Sequence, residues 1–331
     1  MVPLERCGDD ALLVQLCSNA RLCNEEECIS MVKVCFFTQN RWAFGSIHHG
    51  MAKELWKHGI YANLLDWTQG YTAEEFKLLR DSYDVFVTMP DAVLSLHYRY
   101  GVELERIITI AHGQWDILLA KQQADQDFYP KLKGFGVISN ILKQKCYEWK
   151  ISRIPNVVEL GIHVDIYNYE PSESLSRVGY AGSGETTNWF GQEIKRPKLI
   201  ERLVSEVDNI ELIKHKFYNY LAMPAYYNQV DCVIMSSIEE AGGLPMMECA
   251  AAGRLPIGTP VGYFEENANK GGGVLLPLEE SDFLREGKVW LDYYRQNPSM
   301  YRAKCKEARD FAKQNYDWSV KIEPWIGLLT T

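Results

Sequence analysis

The chain has 331 residues, 47% of them hydrophobic and 24% charged, and a formal net charge of −9. That is an ordinary globular composition, long enough for two domains and for a core that needs no disulfide. The acidic balance argues against a nucleic-acid partner, whose footprint is a basic field, but it is compatible with a local basic pocket for a small anion.

No apolar run approaches the ~18 residues of a membrane span, and ALLVQL near the start is too short for a signal-peptide core. A cytoplasmic protein is expected, with peripheral membrane contact left open. Of the nine cysteines, Cys7, Cys17, Cys23 and Cys28 crowd the beginning without the close ligand pairs of structural zinc sites, and no metal is expected. Cys35 and Cys232 lie in apolar runs and read as core hydrophobes of a reducing compartment.

Residues 1–30 show no period. They read as an N-terminal extension outside the fold, the alternative being a helix packed on it. From Met31 the pattern is clear. VKVCFFT is a near-continuous β-run of the buried parallel kind. A helix follows, with Ser46 as its cap, Ile47, Met51, Leu55 and Trp56 as its apolar positions, and Gly59 as its stop. ANLLDW is a strand, AEEFKLLRD a helix, YDVFVTM a strand, DAVLSLHYRYG a helix, RIITIAHG a strand and KGFGVIS another, with a helix to about Trp149. PSESLS has linker composition. The alternation then restarts: RVGYAGSGE (strand), PKLIERLVSEV (helix), NIELIKH (strand), a helix from MPAYYNQ, DCVIMSS (strand), LPMMECAAAG (helix), RLPIGTP and GGGVLLPL (strands), then helices to the end. Two β-α-β-α halves predict an α/β protein with two doubly wound parallel sheets. Ligands of such sheets bind beyond the carboxyl ends of the strands. Those ends hold 38–45, 112–116, 182–185 and 239–245, which line one cleft if the halves face each other.

Within EEAGGLPMMECAAA, Gly242 and Gly243 permit a tight turn and close backbone approach to a ligand, and Pro245 suits the first turn of a helix. That helix start offers backbone donors to a phosphate. Glu240 is placed to accept hydrogen bonds from sugar hydroxyls and Glu248 to reach a ribose. On spacing alone an ordinary strand–turn–helix with two solvated acids fits equally well.

The stretch EEAGGLPMMECAAAGRLPIGTPVG resembles the donor-site signature of the retaining, GT-B-fold glycosyltransferases of family four, in which Glu240, Gly243, Leu244, Pro245 and Glu248 match. Gly242 stands where an aromatic is usual and Cys249 where an alanine is usual. IAHGQWD resembles a family loop whose histidine, here His112, lies near the donor sugar. RVGYAGSGETTNWFGQEIKRPKLI resembles the start of the donor domain: Gly182 opens its loop, Lys195 matches a pyrophosphate-binding cation with Arg196 adjoining, and Ser183 replaces the usual first arginine, for which Arg196, Arg177 or Arg41 would have to compensate. Gly45 corresponds to the glycine loop after the first strand, and RWAFGSIHHG is similar to short transferases of large DNA viruses. NYDWSVKIEPW resembles a terminal helix that crosses back onto the first domain.

The resemblance implies an acceptor-side domain over 31–170, a donor domain over 171–315 and a crossover helix over about 316–331. It implies transfer of a hexose from a nucleoside-diphosphate sugar, GDP-mannose favoured over a UDP-sugar, to a hydroxyl of a glycan or glycoconjugate with retained anomeric configuration, no cofactor and no metal. In it His112, Lys195 and Glu240 are the catalytic set: Lys195 faces the leaving diphosphate, Glu240 orients the sugar and His112 lies at the reacting carbon. Gly45, Gly182, Ser183, Lys195, Arg196, Gly242, Gly243, Leu244, Pro245 and Glu248 are the donor-binding set. Two alternatives share the architecture: a nucleotide-sugar 2-epimerase and a non-catalytic sugar-nucleotide-binding protein. Trp42, Trp67 and Trp115 are candidates for stacking on a sugar or for packing.

Overall fold

The computed structural model describes residues 31–39, 42–123, 127–168, 172–182, 187, 191–215, 220–240 and 242–331. The expected N-terminal extension lies outside them. Six strands, β1 (Lys33–Thr38), β2 (Tyr61–Asp66), β3 (Val85–Thr88), β4 (Ile107–Ala111), β5 (Gly134–Val137) and β6 (Asn156–Val157), form one sheet in the order β2-β1-β3-β4-β5-β6. Five more, β7 (Arg177–Tyr180), β8 (Glu211–Lys214), β9 (Cys232–Met235), β10 (Leu255–Gly258) and β11 (Val274–Leu275), form a second in the order β11-β10-β9-β7-β8. The pairings are parallel, as with Val34 opposite Val85 and Cys232 opposite Leu255. Helices cover both faces, so β3, β4, β5, β9 and β10 are buried along their length. That burial is why they read as unbroken apolar runs rather than alternating ones.

Helix α1 (Trp42–Lys57) follows β1. Ile47, Met51 and Leu55 are buried as the spacing predicts, but two expectations need correction. The helix starts four residues before Ser46, so Ser46 lies inside it and caps nothing. Trp56 is 48% exposed, stacks on Tyr61 at 5.5 Å between ring centroids and donates its indole N–H to the Ala62 carbonyl at 2.9 Å. It lies one position off the buried stripe of Ile47, Met51 and Leu55. Gly59 ends the segment at φ +73, a left-handed conformation that glycine adopts without strain. Helix α2 (Ala73–Arg80) carries a complete capping box from Thr72 and Glu75. The helix expected around DAVLSLHYRYG is irregular, with a π-helical turn over Ser95–Arg99.

Helices α3 (Gln114–Gln123) and α4 (Asn140–Glu148) complete the first lobe, with α4 capped by Ser139. The second lobe contains α5 (Pro197–Ser205), the one-turn α6 (Met223–Tyr227), α7 (Leu244–Ala251), the short α8 (Tyr263–Asn267) that the sequence pattern did not show, α9 (Glu280–Gln296) and α10 (Pro298–Asn315). Helix α11 (Trp318–Thr330) returns to the first lobe. Trp318 and Trp325 are its fully buried anchors. A side chain at Gly50 or Gly161 would collide with the Trp318 indole, so these two glycines make the groove the indole fills. The Trp325 indole N–H donates to the Glu159 carbonyl at 2.8 Å.

The lobes also meet across the cleft. Tyr263 of α8 is buried; its hydroxyl donates to the Ile138 carbonyl at the end of β5 and accepts from the Leu160 N–H at 3.1 Å. Gln114 donates its side-chain amide to Glu239 from the other lobe.

Candidate functional site

Both sheets place their first strand beside their third, β1 beside β3 and β7 beside β9, while the second strand lies on the other side. At such a switch point successive connections leave in opposite directions and open a crevice at the carboxyl ends of the strands. In the second lobe that crevice is walled by Tyr180 at the end of β7, by Ala181 and Gly182 just after it, and by Ser237, Glu240, Gly242 and Gly243 after β9. Ala43, Phe44 and Ile47 of α1, His112 after β4, Ile138 and Leu160 close it from the first lobe. The cleft between these walls measures about 420 Å³, within the usual range for a small-molecule site.

The turn into α7 explains its glycines. Gly243 has φ +66 and is the residue before the helix, a conformation costly for any residue with a Cβ. A Cβ at Gly242 would stand 3.2 Å from Leu160 and 3.6 Å from Ile138. The first lobe presses on the turn there, which accounts for glycine where the resembled family carries an aromatic. Among the described residues no side chain caps α7, and Leu244, Pro245 and Met246 at its start line the cavity. A helix start of this kind directs unpaired backbone donors and partial positive charge outward.

Lys195 reaches the same wall and forms an ion pair with Glu240. The Ser237 hydroxyl donates to the same carboxylate oxygen at 2.8 Å. Side-chain exposures of 23% for Lys195 and 17% for Glu240 leave both open to the cavity.

On the opposite wall the backbone N–H groups of His112 and Gly113 each donate to Asp116 Oδ2 at 2.9 Å, which fixes the turn that presents the imidazole. Burial and the nearby Asp91 push the Asp116 carboxyl up to about 6. The His112 ring meets Phe44 edge-on at 5.1 Å and His48 at 5.6 Å. His48 Nδ1 is 2.9 Å from the Phe44 carbonyl; a carbonyl only accepts, so Nδ1 carries the proton. Burial, then His48, pushes His112 down to about 3. Burial chiefly brings His48 to about 4. Both imidazoles are therefore neutral at pH 7. Sequence reasoning missed Phe44 and His48; their one-turn separation on α1 was the signal that could have found them.

The other expected residues divide. Gly182 is on the cavity wall, and a Cβ there would collide with the Tyr180 hydroxyl. Gly45 is corrected: it is buried inside the first turns of α1 rather than in a loop over the ligand, because the helix begins at Trp42. Arg196 is not among the lining residues. It is 8% exposed, and its guanidinium donates to the carbonyls of Ser236 at 2.6 Å and Leu278 at 2.8 Å. Arg177 cannot compensate for Ser183, being engaged with Asp231 at 2.8 Å.

Glu248 is 2% exposed and off the cavity wall. It accepts from the Tyr227 hydroxyl at 2.9 Å and from Tyr167, and burial pushes its carboxyl up to about 7. Trp67 is half-buried against Phe37, edge-on at 6.0 Å, and Trp115 is half-buried. Ser183 and Arg41, and the side chain of Trp42, lie outside the described residues.

No protein-family model and no curated protein sequence matches the chain significantly. Solved structures do. Anabaena HepE in complex with UDP-glucose superposes with a TM-score of 0.66 at 11% identity, over 90% of this chain and 100% of that one. Sucrose-phosphate synthase from Thermosynechococcus elongatus gives 0.63 at 13% identity, over 90% and 98%. An alpha-glucosyltransferase in complex with UDP-glucose and DNA gives 0.62 at 11% identity, over 91% and 100%.

The chain has the GT-B fold.

In GT-B terms the cavity is the interlobe cleft. The residues that line it on the second-lobe side, Gly182, Lys195, Glu240 and 242–246, include most of those singled out in the sequence. Among the described residues no helix is long and apolar enough to cross a membrane.

Proposed function

We propose that this protein is a retaining glycosyltransferase that moves a hexose from a nucleoside-diphosphate sugar to an acceptor hydroxyl without a metal ion. The observation that carries the reading is the convergence, on one interlobe cavity, of an uncapped helix start, a lysine–glutamate pair and a neutral histidine. The α7 N-terminus takes the diphosphate. Lys195 offsets the charge that develops on it as it leaves, the kind of fixed electrostatic help that supplies much of a transferase's rate. Glu240 accepts from hydroxyls of the sugar. His112, uncharged, contacts the sugar at the reacting carbon. The acceptor oxygen bonds to that carbon as the carbon–phosphate-oxygen bond breaks, and the acceptor proton leaves on the diphosphate. The first lobe closes the cavity and excludes water.

The two supports for the donor differ. The sequence resemblance favours GDP-mannose, whereas HepE and the alpha-glucosyltransferase were solved with UDP-glucose. The complexes share this chain's fold over nine-tenths of its length, and a UDP-hexose is the donor put forward. Thermal unfolding with UDP, GDP, ADP and dTDP, with and without EDTA, tests it. A ligand at 100 times its Kd adds about 2.7 kcal/mol to the stability of the state that binds it. A shift with UDP that survives EDTA, followed by slow UDP release from UDP-glucose, is expected. Stabilisation by no nucleotide would overturn the proposal. Recovery of an epimerised sugar nucleotide would replace it with the epimerase reading.

A further inference from the structure

A pocket of about 220 Å³ lies on the first lobe, at the ends of α3 and α4 that are far from the cleft. Helix α3 begins beside His112 and α4 just after Ile138, both of them cleft residues. Lys121, near the end of α3, is about 10 Å along the axis from Gln114, at 1.5 Å per residue. Its ammonium donates to the Trp149 carbonyl at 2.7 Å, which ties the two helix ends together. The inner wall is apolar and aromatic. Ala120, Phe128 and Tyr129 are buried there, and the two rings stack with centroids 4.6 Å apart. The rim is polar, with Lys121, Asp127, Lys150 and Ser152 exposed.

Tyr129 is 3% exposed, and its hydroxyl has no hydrogen-bond partner among the described residues. Buried hydroxyls are nearly always paired, because one left alone forfeits its hydration. Lys150 has φ +53, in the left-handed position after a helix that glycine usually fills. Its ammonium has no partner among the described residues. A lysine thus stands where glycine would be less strained. We propose that this pocket binds a small carboxylate with a ring-sized body, its carboxylate at the rim and a second oxygen at the inner wall. Lys121 keeps two N–H donors beyond the one it uses, and Lys150 has three. Against these two cations stands the Asp127 carboxylate, whose Oδ1 accepts from the Tyr129 backbone N–H at 3.1 Å. The rim therefore carries one net positive charge, which suits a monoanion better than a phosphate dianion. Phe128, Tyr129 and Ile151 cover the body of the ligand. The Tyr129 hydroxyl donates to the inner oxygen and gains the partner it lacks. The site is separate from the cleft and does not depend on what the cleft binds.

Ligand-observed NMR on the full chain tests this with benzoate, para-hydroxybenzoate, neutral benzamide and inorganic phosphate. Both carboxylates should bind saturably, para-hydroxybenzoate the more tightly, and benzamide and phosphate at least tenfold more weakly. Binding should persist with UDP present, which separates this pocket from the cleft. Lys150→Gly removes a cation and relaxes the left-handed residue. It should weaken both carboxylates at least tenfold without lowering the melting temperature. Lys150→Gln, which loses only the charge, should weaken them equally. Tyr129→Phe should weaken para-hydroxybenzoate at least threefold more than benzoate. No saturable binding of either carboxylate, benzamide binding equal to that of benzoate, displacement by UDP, unchanged affinity in either Lys150 variant, or no selective loss in Tyr129→Phe would each overturn the inference.

Discussion

Glu240 and Lys195 stand 45 positions apart in the chain and form one ion pair on the wall of the cleft. Each fixes the other before any ligand arrives, so neither has to be ordered during reaction. Glu240→Gln keeps the shape and loses the charge. Transfer should fall by about 10²–10³-fold, the usual cost of one misplaced stabilising group, while UDP still raises the melting temperature. Turnover equal to that of the unmodified protein would remove Glu240 from its role.

Gly243 has φ +66, and a methyl group added there would meet Met235 at 3.8 Å, an ordinary contact. Gly243→Ala therefore acts through the backbone alone. It should cost about 1–2 kcal/mol of stability and raise the donor KM, because the turn is the proposed diphosphate seat. Urea unfolding and donor titration read the two effects separately.

The Tyr263 hydroxyl bridges the lobes, between the Ile138 carbonyl and the Leu160 N–H. Tyr263→Phe leaves both of those groups without that partner. A loss of about 1–3 kcal/mol is expected, measured by urea unfolding, together with faster water-driven UDP release if closure weakens.

Two buried groups give opposite pH slopes. Glu248 has its carboxyl raised to about 7 by burial. Its contribution to stability is present at acidic pH and lost as pH rises through 7. Glu248→Gln should therefore gain on the unmodified protein between about pH 4.5 and 7 and hold that advantage level above it. His48, lowered to about 4, contributes stability above its ordinary value near 6.5 that is lost as pH falls toward 4. His48→Gln should flatten that acid-side decline. Melting temperatures across pH 4.5–8.5 decide both.

His112 is held neutral by burial and by His48. The kcat/KM profile should show no histidine titration near pH 6.5 in the unmodified protein. A bell centred there, abolished by His112→Asn, would show that the imidazole takes up a proton in the reaction.

The strands were legible because their pattern is local. β1, β3, β4, β7, β9 and β10 lie where the apolar runs lie, and the glycine turn at 242–243 announced itself by composition. Period and turn chemistry are properties of a few neighbouring residues, and they determined two α/β halves and the place of the cleft turn. The partners of charged and aromatic side chains are set by residues far away in sequence. Only the tertiary structure decided that Arg196 braces Ser236 and Leu278, that Glu248 is buried under two tyrosines, and that His48 lies beside His112. A guanidinium reads the same in sequence whether it faces a phosphate or a buried carbonyl. The packing of the lobes removes one of those choices.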